Sequence, residues 1–264
     1  MINKPAIGVA AAVVVVAAGS WFYLHSRHAV LPRAPAATQQ PAEPPPEPAI
    51  QHPLPEAPAD QASKAPLPLL ADSDAALLDA FGAVAGTAAV KDSLLPENII
   101  RHLVVTIDNL PRQKVAVDKR PVGPASGPFM ANGDELHATI DPQNYARYRP
   151  MVAVIGKVDM REVAAVYVRF YPLFQHVYQD LGYPNGYFND RLVQVIDSLL
   201  ATPQLAGPVD LIRPNVMYTF ADPALESRPA GQKLLIRMGP DNAAAIKTKL
   251  MELRAAVTAS PPKR

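Results

Sequence analysis

Seven residues in the C-terminal half of the chain are the candidates for binding or catalysis. Five lie in or beside one predicted turn and two lie further along: Tyr183, Tyr187, Asn189, Asp190 and Arg191, then Asp222 and Glu226. Asp197 follows Asp190 by seven residues, which puts both carboxylates on one face of a predicted helix. Two carboxylates that meet in a cleft can act as general acid and base in glycan cleavage. Exposed tyrosines in a turn commonly contact sugars or partner proteins.

The same residue types also have a structural explanation. Asn189, Asp190 and Asp222 stand where predicted helices begin, and Asn and Asp are preferred helix caps. Arg191 can form an ion pair with a carboxylate across a helix crossing. We therefore expect these polar side chains to be mainly structural, with ligand or partner binding as the second interpretation and catalysis as the third.

Other catalytic and cofactor patterns are missing from the sequence. The chain has no cysteine, which excludes disulfides, thiolate nucleophiles and cysteine-ligated zinc. Its six histidines are scattered without metal-binding spacing, and Gly82 and Gly86 are not followed by the Lys-Ser/Thr of a phosphate loop. We therefore predict neither a metal nor another cofactor. The formal net charge of +1 gives no basis for nucleic-acid binding.

The predicted turn joins the two helices with the clearest amphipathic pattern in the chain. Eight of the seventeen aromatic residues fall within Tyr167–Phe188. Asp159 is the expected cap of the first helix, Gly182 its expected end, and Pro172 predicts a kink or a division into two helices. Apolar residues recur at helical spacing in both helices: Val163, Val166, Tyr167, Phe170, Phe174, Val177, Tyr178 and Leu181, then Leu192, Val195, Ile196, Leu199 and Leu200. This pattern predicts an αα-hairpin with an aromatic core.

The rest of the folded region is also predicted to be mainly helical. An Asn-Gly pair at 132–133 predicts a hairpin within residues 129–140, and residues 209–220 suggest two short strands or an extended crossing. Caps or first-turn prolines predict further helix starts near Asp72, Pro96, Asp141, Asp222 and Asp241. The predicted fold is a mainly α, compact multi-helix domain over residues 69–258, with one or two short β-hairpins and a loose tail at 259–264.

The N-terminal residues 1–31 are predicted to form a membrane anchor. Residues 7–24 are uncharged, would span about 27 Å as a helix, and end in an aromatic trio where the membrane interface would lie. The apolar run is not followed by small residues, so we favour an uncleaved anchor over a cleaved signal peptide. Residues 32–68 contain 12 prolines and are expected to form a disordered linker.

The orientation of this anchor is suggested by its short N-terminal tail. The flanking positive charges are nearly balanced, because Lys4 opposes Arg27 and Arg33. The short tail favours a single-pass protein with its bulk outside the cytoplasm.

Three segments of the chain resemble a proteobacterial family known as domain of unknown function 3014: LVVTIDNLPR at 103–112, YPLFQHVYQDLGYPNGYFNDRLVQVIDSLLATP at 171–203, and YTFADPALESRPAGQKLLIRMGPDNAAAIKTKL at 218–250. The resemblance extends over about residues 69–257, and the sequence departs from the family pattern at Pro229. It implies a Gram-negative inner-membrane protein with an envelope-facing domain. It implies no activity and no functional residues.

Two functions are compatible with these features. The favoured one is a non-enzymatic adaptor or binding protein, which is held in the periplasm on its linker and contacts an envelope protein or a cell-wall component. The alternative is a cell-wall glycan hydrolase that uses paired carboxylates near Asp190 and Asp222. The sequence leaves the identity of the partner and the oligomeric state open.

Overall fold

Helices dominate the computed structural model, which describes residues 49–55, 66–134 and 137–259. The α-helices in these ranges are α1 Ser73–Ala85, α2 Thr87–Ser93, α3 Ile99–Asn109, α4 Gln143–Ala146, α5 Arg149–Lys157, α6 Met160–Asp180, α7 Phe188–Leu200, α8 Pro223–Glu226, α9 Ala230–Met238 and α10 Pro240–Val257. Two short 3-10 helices lie at Leu70–Asp72 and Val117–Lys119. The prediction of a mainly helical domain is confirmed.

A small antiparallel sheet accompanies the helices. Its four strands follow one another in chain order: β1 Ala131–Gly133, β2 Ala138–Ile140, β3 Asp210–Ile212 and β4 Thr219–Phe220. The predicted hairpin within 129–140 is therefore present, and residues 209–220 form two short paired strands, the first of the two predicted alternatives. The sequence did not predict that β2 pairs with β3, which places Ala138 opposite Leu211 and joins the hairpins. One face of the sheet packs with Ile236 of α9 in a separate hydrophobic cluster.

The helical hairpin formed by α6 and α7 matches most of its predicted features. The Asp159 carboxylate caps α6 by accepting from the backbone N–H of Arg161 at 2.8 Å, and Gly182 after the helix has a φ of 103°. Two details differ from the prediction. Of the two alternatives at Pro172, the division into two helices is wrong, because α6 continues through this residue. Helix α7 begins at Phe188, one residue before the predicted caps.

The main core lies on the aromatic stripe of α6. Helices α1, α3 and α10 all pack against α6, and α10 also packs against α5 and α7. The side chains of Phe170, Phe174, Val177 and Phe188 are at most 3% exposed. Burying each such phenylalanine contributes about 2–3 kcal/mol to folding. The aromatic stripe is therefore the core of the domain, as its spacing predicted.

Several predicted segments lie outside the described residues. They are the membrane span at 7–24, most of the linker, and the tail from residue 260 onward. Within the part of the chain that the structure describes, no helix is both long and apolar enough to cross a membrane. Residues 49–55 of the predicted linker are described, and they contact the helical domain at the turn between α6 and α7.

Candidate functional site

Asp190, in the first turn of α7, binds the backbone of residues 51 and 52, which belong to the described N-terminal segment 49–55. Its Oδ1 accepts a hydrogen bond from the backbone N–H of His52 at 2.6 Å, and its Oδ2 accepts from the N–H of Gln51 at 3.0 Å. Bonds of this kind to an ionised carboxylate are stronger than those between neutral groups. Both bonds use the peptide backbone, so they do not depend on which side chains the segment carries.

Asn189 adds a third contact from a fully buried position. Its Nδ2 donates to the backbone carbonyl of His52 at 2.8 Å and to that of Val257, near the end of α10, at 3.1 Å. Its Oδ1 accepts from the hydroxyl of Tyr167 at 3.2 Å. The donor and the acceptor of this amide both have partners. Asn189 therefore connects α6, α7, α10 and the N-terminal segment at one point.

Tyr187 completes the contact at the C-terminal end of the segment. Its hydroxyl accepts from the backbone N–H of Leu54 at 3.2 Å, and its ring lies 5.5 Å from the ring of Tyr171. Leu54 itself packs against the main core. We call Tyr187, Asn189 and Asp190 the α6–α7 surface, and residues 50–54 the docked segment. The surface binds three N–H groups and one carbonyl of a short peptide segment that bends at Gln51 and His52.

The first N–H groups of α7 are satisfied by side chains of α6. Gln175 Oε1 accepts from the N–H of Phe188 at 2.8 Å, and the hydroxyl of Tyr171 accepts from the N–H of Asn189 at 3.3 Å. Gln175 Nε2 also donates to the carbonyl of Gly186 at 2.7 Å, which fixes the turn. These bonds replace a conventional cap. The side chains of Asn189 and Asp190 are therefore left to bind the docked segment.

Arg191 and Tyr183, the other two candidates in this region, meet at a buried carboxylate. Asp108 of α3 is 3% exposed and accepts from Arg191 Nε at 3.0 Å and from Arg112 Nη2 at 2.7 Å. The Tyr183 hydroxyl accepts from Arg112 at 3.1 Å, and its ring stacks on Tyr178 at 4.6 Å. The ion pair with Asp108 raises the pKa of Arg112. This arrangement fixes the turn against α3, as the predicted ion pair of Arg191 suggested.

Asp108 is a residue of this region that was not among the seven predicted candidates. A signal for it was present, because Asp108 follows Ile100 and Val104 at steps of four and so shares their buried stripe on α3. A carboxylate on an apolar stripe needs a charged partner when it is buried.

Asp222 and Glu226 belong to a different part of the domain. Asp222 caps α8 by accepting from the N–H of Ala224 at 2.8 Å. Glu226 accepts from Lys233 Nζ at 2.8 Å and from the N–H of Phe220 at 3.0 Å. Burial acts to raise the pKa of Glu226, but these two hydrogen bonds and the positive charges of Lys233 and Arg237 together lower it. Both residues adjoin the cluster beneath the sheet, whereas the α6–α7 surface adjoins the main core.

Each carboxylate that the hydrolase hypothesis considers thus has a different structural partner. Asp190 binds the docked segment, Asp222 caps a helix, and Asp197 forms a two-point ion pair with Arg254 at 2.6 and 3.1 Å. No observation brings Asp190 and Asp222 together in a cleft, which is the arrangement that general acid and base catalysis requires.

A cavity of about 390 Å³ lies between the sheet, α9, α10 and the loop after α7. Its lining includes Tyr145, Leu205, Ile236 and Lys247, and it contains no carboxylate and none of the seven candidate residues. Elsewhere in residues 49–55, 66–134 and 137–259, no three histidine, aspartate or glutamate side chains group closely enough to hold a metal ion.

The fold and the site together define a mainly helical domain with a small sheet, whose α6–α7 surface binds residues 51–54 of the same chain. The chain belongs to the family described as protein of unknown function (DUF3014), whose sequence model matches residues 99–254. This range is narrower than the resemblance suggested, and it contains the α6–α7 surface but not the docked segment. No curated protein and no solved structure matches the chain.

Proposed function

We propose that this protein is a membrane-tethered adaptor of the cell envelope that binds a short peptide segment of a partner protein at the α6–α7 surface. One observation carries the proposal: Tyr187, Asn189 and Asp190 bind four backbone groups of a peptide segment. Side chains that capture peptide backbone next to an apolar core are a recurrent means of peptide recognition.

The location in the envelope rests on the N-terminal sequence. The apolar span at 7–24 would anchor the chain in the inner membrane, and the proline-rich residues that follow it would hold the domain in the periplasm. Protease treatment of spheroplasts tests this orientation. A periplasmic domain is digested when the outer membrane is opened, whereas a cytoplasmic domain stays protected.

Crosslinking and capture from intact cells tests the adaptor function. The full-length wild type is compared with Asp190→Ala, which removes the acceptor for two backbone N–H groups. Asp79→Ala is the matched control, because Asp79 is an exposed aspartate of α1. We expect specific envelope proteins to crosslink to the wild type and to Asp79→Ala, and several-fold less to Asp190→Ala.

Two results would contradict the adaptor function. One is equal capture of all proteins by the three forms, since the α6–α7 surface would then contribute nothing. The other is turnover of purified cell wall by the wild type together with no captured partner, which would favour the hydrolase.

A further inference from the structure

The docked segment fills a surface that belongs to a different part of the chain. Asp190 and Tyr187 lie within the family match at 99–254, whereas residues 50–54 precede it. The bonds engage backbone atoms, while the side chains of Ile50, Gln51 and Pro53 are exposed. Another peptide with the same backbone geometry can therefore make the same bonds.

The contacts also define what such a peptide must look like. Gln51 and His52 supply the two N–H groups that Asp190 accepts, so neither position tolerates proline. Pro53 disfavours a helical backbone at His52, and the segment bends at Gln51 and His52 so that both N–H groups face Asp190. Leu54 supplies a further N–H and an apolar side chain that packs on the core. The required ligand is a peptide that bends at two free N–H groups, followed by proline and then by an apolar residue.

We infer that the docked segment is a resident ligand of the α6–α7 surface, and that a partner segment of this X-X-Pro-apolar class binds by displacing it. The inference rests on the proposed adaptor function and adds the class of partner and its regulation. A tethered ligand has an effective concentration in the millimolar range, so a free peptide of the same intrinsic affinity must approach that concentration to compete, and a tighter-binding partner competes at a lower one.

Spin labels on the full-length chain test the displacement. The chain has no cysteine, so Ala49→Cys and Ala255→Cys introduce two unique labelling positions. Both positions are exposed. They should lie close together, because Asn189 binds the carbonyls of both His52 and Val257, which are three and two residues from the labelled positions. We expect a short, narrow distance between the labels by pulsed electron paramagnetic resonance, in detergent or nanodiscs.

A pair of backbone variants isolates the role of the N–H groups. Gln51→Pro with His52→Pro removes both donors to Asp190, whereas Gln51→Ala with His52→Ala keeps them and removes the same side chains. We expect the proline pair to lower the ratio of docked to undocked chains about a hundredfold, with loss of the short distance, because each bond to a charged group is worth about tenfold or more. The alanine pair should keep the short distance.

A second test measures competition between a free peptide and the docked segment. The probe is a synthetic peptide of residues 49–56, AIQHPLPE, and its control carries proline at both donor positions. We expect the first peptide, at several millimolar, to convert the short distance of the wild type into a long and broad one, and the control peptide to leave it unchanged. An unchanged distance with the first peptide, or in the proline pair, would overturn the inference.

Capture from cells separates this inference from the proposed function. The proline pair frees the surface but leaves Asp190 intact, so it should capture several-fold more partner than the wild type, whereas Asp190→Ala should capture less. If the labels report displacement but neither the wild type nor any variant captures a partner, the adaptor function is wrong. The docked segment then only stabilises the fold. If partners are captured equally by the wild type and by the proline pair, displacement is not part of binding.

Discussion

Asp190 accepts a 2.6 Å hydrogen bond from the backbone N–H of His52, a residue 138 positions earlier in the chain. This bond connects the start of α7 to a segment predicted to be a disordered linker. A carboxylate at the first turn of a helix usually has the helix's own N–H groups as partners. Here Gln175 and Tyr171 of α6 satisfy those groups, so Asp190 is available to bind another part of the chain.

The two glutamines of α6 near the turn should differ sharply in their effect on stability. Gln175→Ala removes the acceptor for the N–H of Phe188 and the donor to the carbonyl of Gly186. We expect it to lower the free energy of unfolding by about 2 kcal/mol, because buried backbone groups lose their partners. Gln179→Ala, one turn later, removes only an exposed 3.3 Å bond to Pro184 and should cost less than about 0.5 kcal/mol. Urea denaturation measures both, and equal losses would contradict the role of Gln175.

The buried carboxylate of α3 should be a major source of stability. Asp108→Asn removes the charge that pairs with Arg191 and Arg112, and Arg191 lies mostly buried. We expect a loss of about 3 kcal/mol in the free energy of unfolding, since a buried arginine is left unpaired. Asp79→Asn, at an exposed position of α1, should change it by less than about 0.5 kcal/mol. A loss for Asp108→Asn no larger than that of the control would show that the ion pairs contribute little.

The tight packing of the turn predicts a penalty at one of its glycines. A Cβ at Gly186 would lie 2.8 Å from Tyr178 Cε1 and 3.0 Å from Tyr183 Cβ. We expect Gly186→Ala to lower the free energy of unfolding by about 1–3 kcal/mol, because the stacked tyrosines must move. Gly123→Ala meets no atom within 4 Å and should be nearly neutral. Thermal unfolding of the two variants tests the difference, and a neutral Gly186→Ala would mean that the turn is loosely packed.

The ion pair between Asp197 and Arg254 should make a small contribution to stability that depends on pH. Hydrogen bonding to Arg254 holds the pKa of Asp197 below its usual value of 3.8. The folded state therefore binds the proton less readily than the unfolded chain, so the stabilisation is present above about pH 4 and disappears as the pH falls below the folded pKa. Both side chains are more than a third exposed, so we expect less than about 1 kcal/mol.

The variant Asp197→Asn tests this pH dependence. Its deficit in the free energy of unfolding relative to the wild type should be measurable at pH 6 and should shrink as the pH falls below the usual aspartate pKa of 3.8. A deficit that stays constant across this range would mean that the effect does not come from the charge of Asp197.

The sequence predicted the parts of the fold that depend on local spacing. The aromatic stripe of α6, its cap Asp159 and its terminal Gly182 follow from helical periodicity and from backbone geometry, and all three were confirmed. The two hairpins also follow from local turn and strand preferences. The pairing of β2 with β3 was not predictable in this way, because it joins residues about 70 positions apart.

The candidate site was predicted in its residues but not in its partners. Tyr187, Asn189 and Asp190 were singled out for their types and for their place in the turn, yet their hydrogen bonds reach residues 51–54. A proline-rich composition predicts disorder because it offers little apolar surface to bury. In residues 51–54, backbone hydrogen bonds and one leucine side chain are enough to dock the segment. Amino-acid composition carries no information about such backbone hydrogen bonds.

The most direct test is the amide hydrogen exchange of Gln51 and His52, measured by nuclear magnetic resonance on the full-length chain in detergent or nanodiscs. In the wild type and in Asp79→Ala we expect both amides to exchange at least about tenfold more slowly than in an unstructured peptide, because Asp190 binds them. In Asp190→Ala this protection should be lost at both residues. Exchange of both amides at the unstructured rate in the wild type would contradict the claim that the α6–α7 surface binds the peptide backbone of residues 51–54.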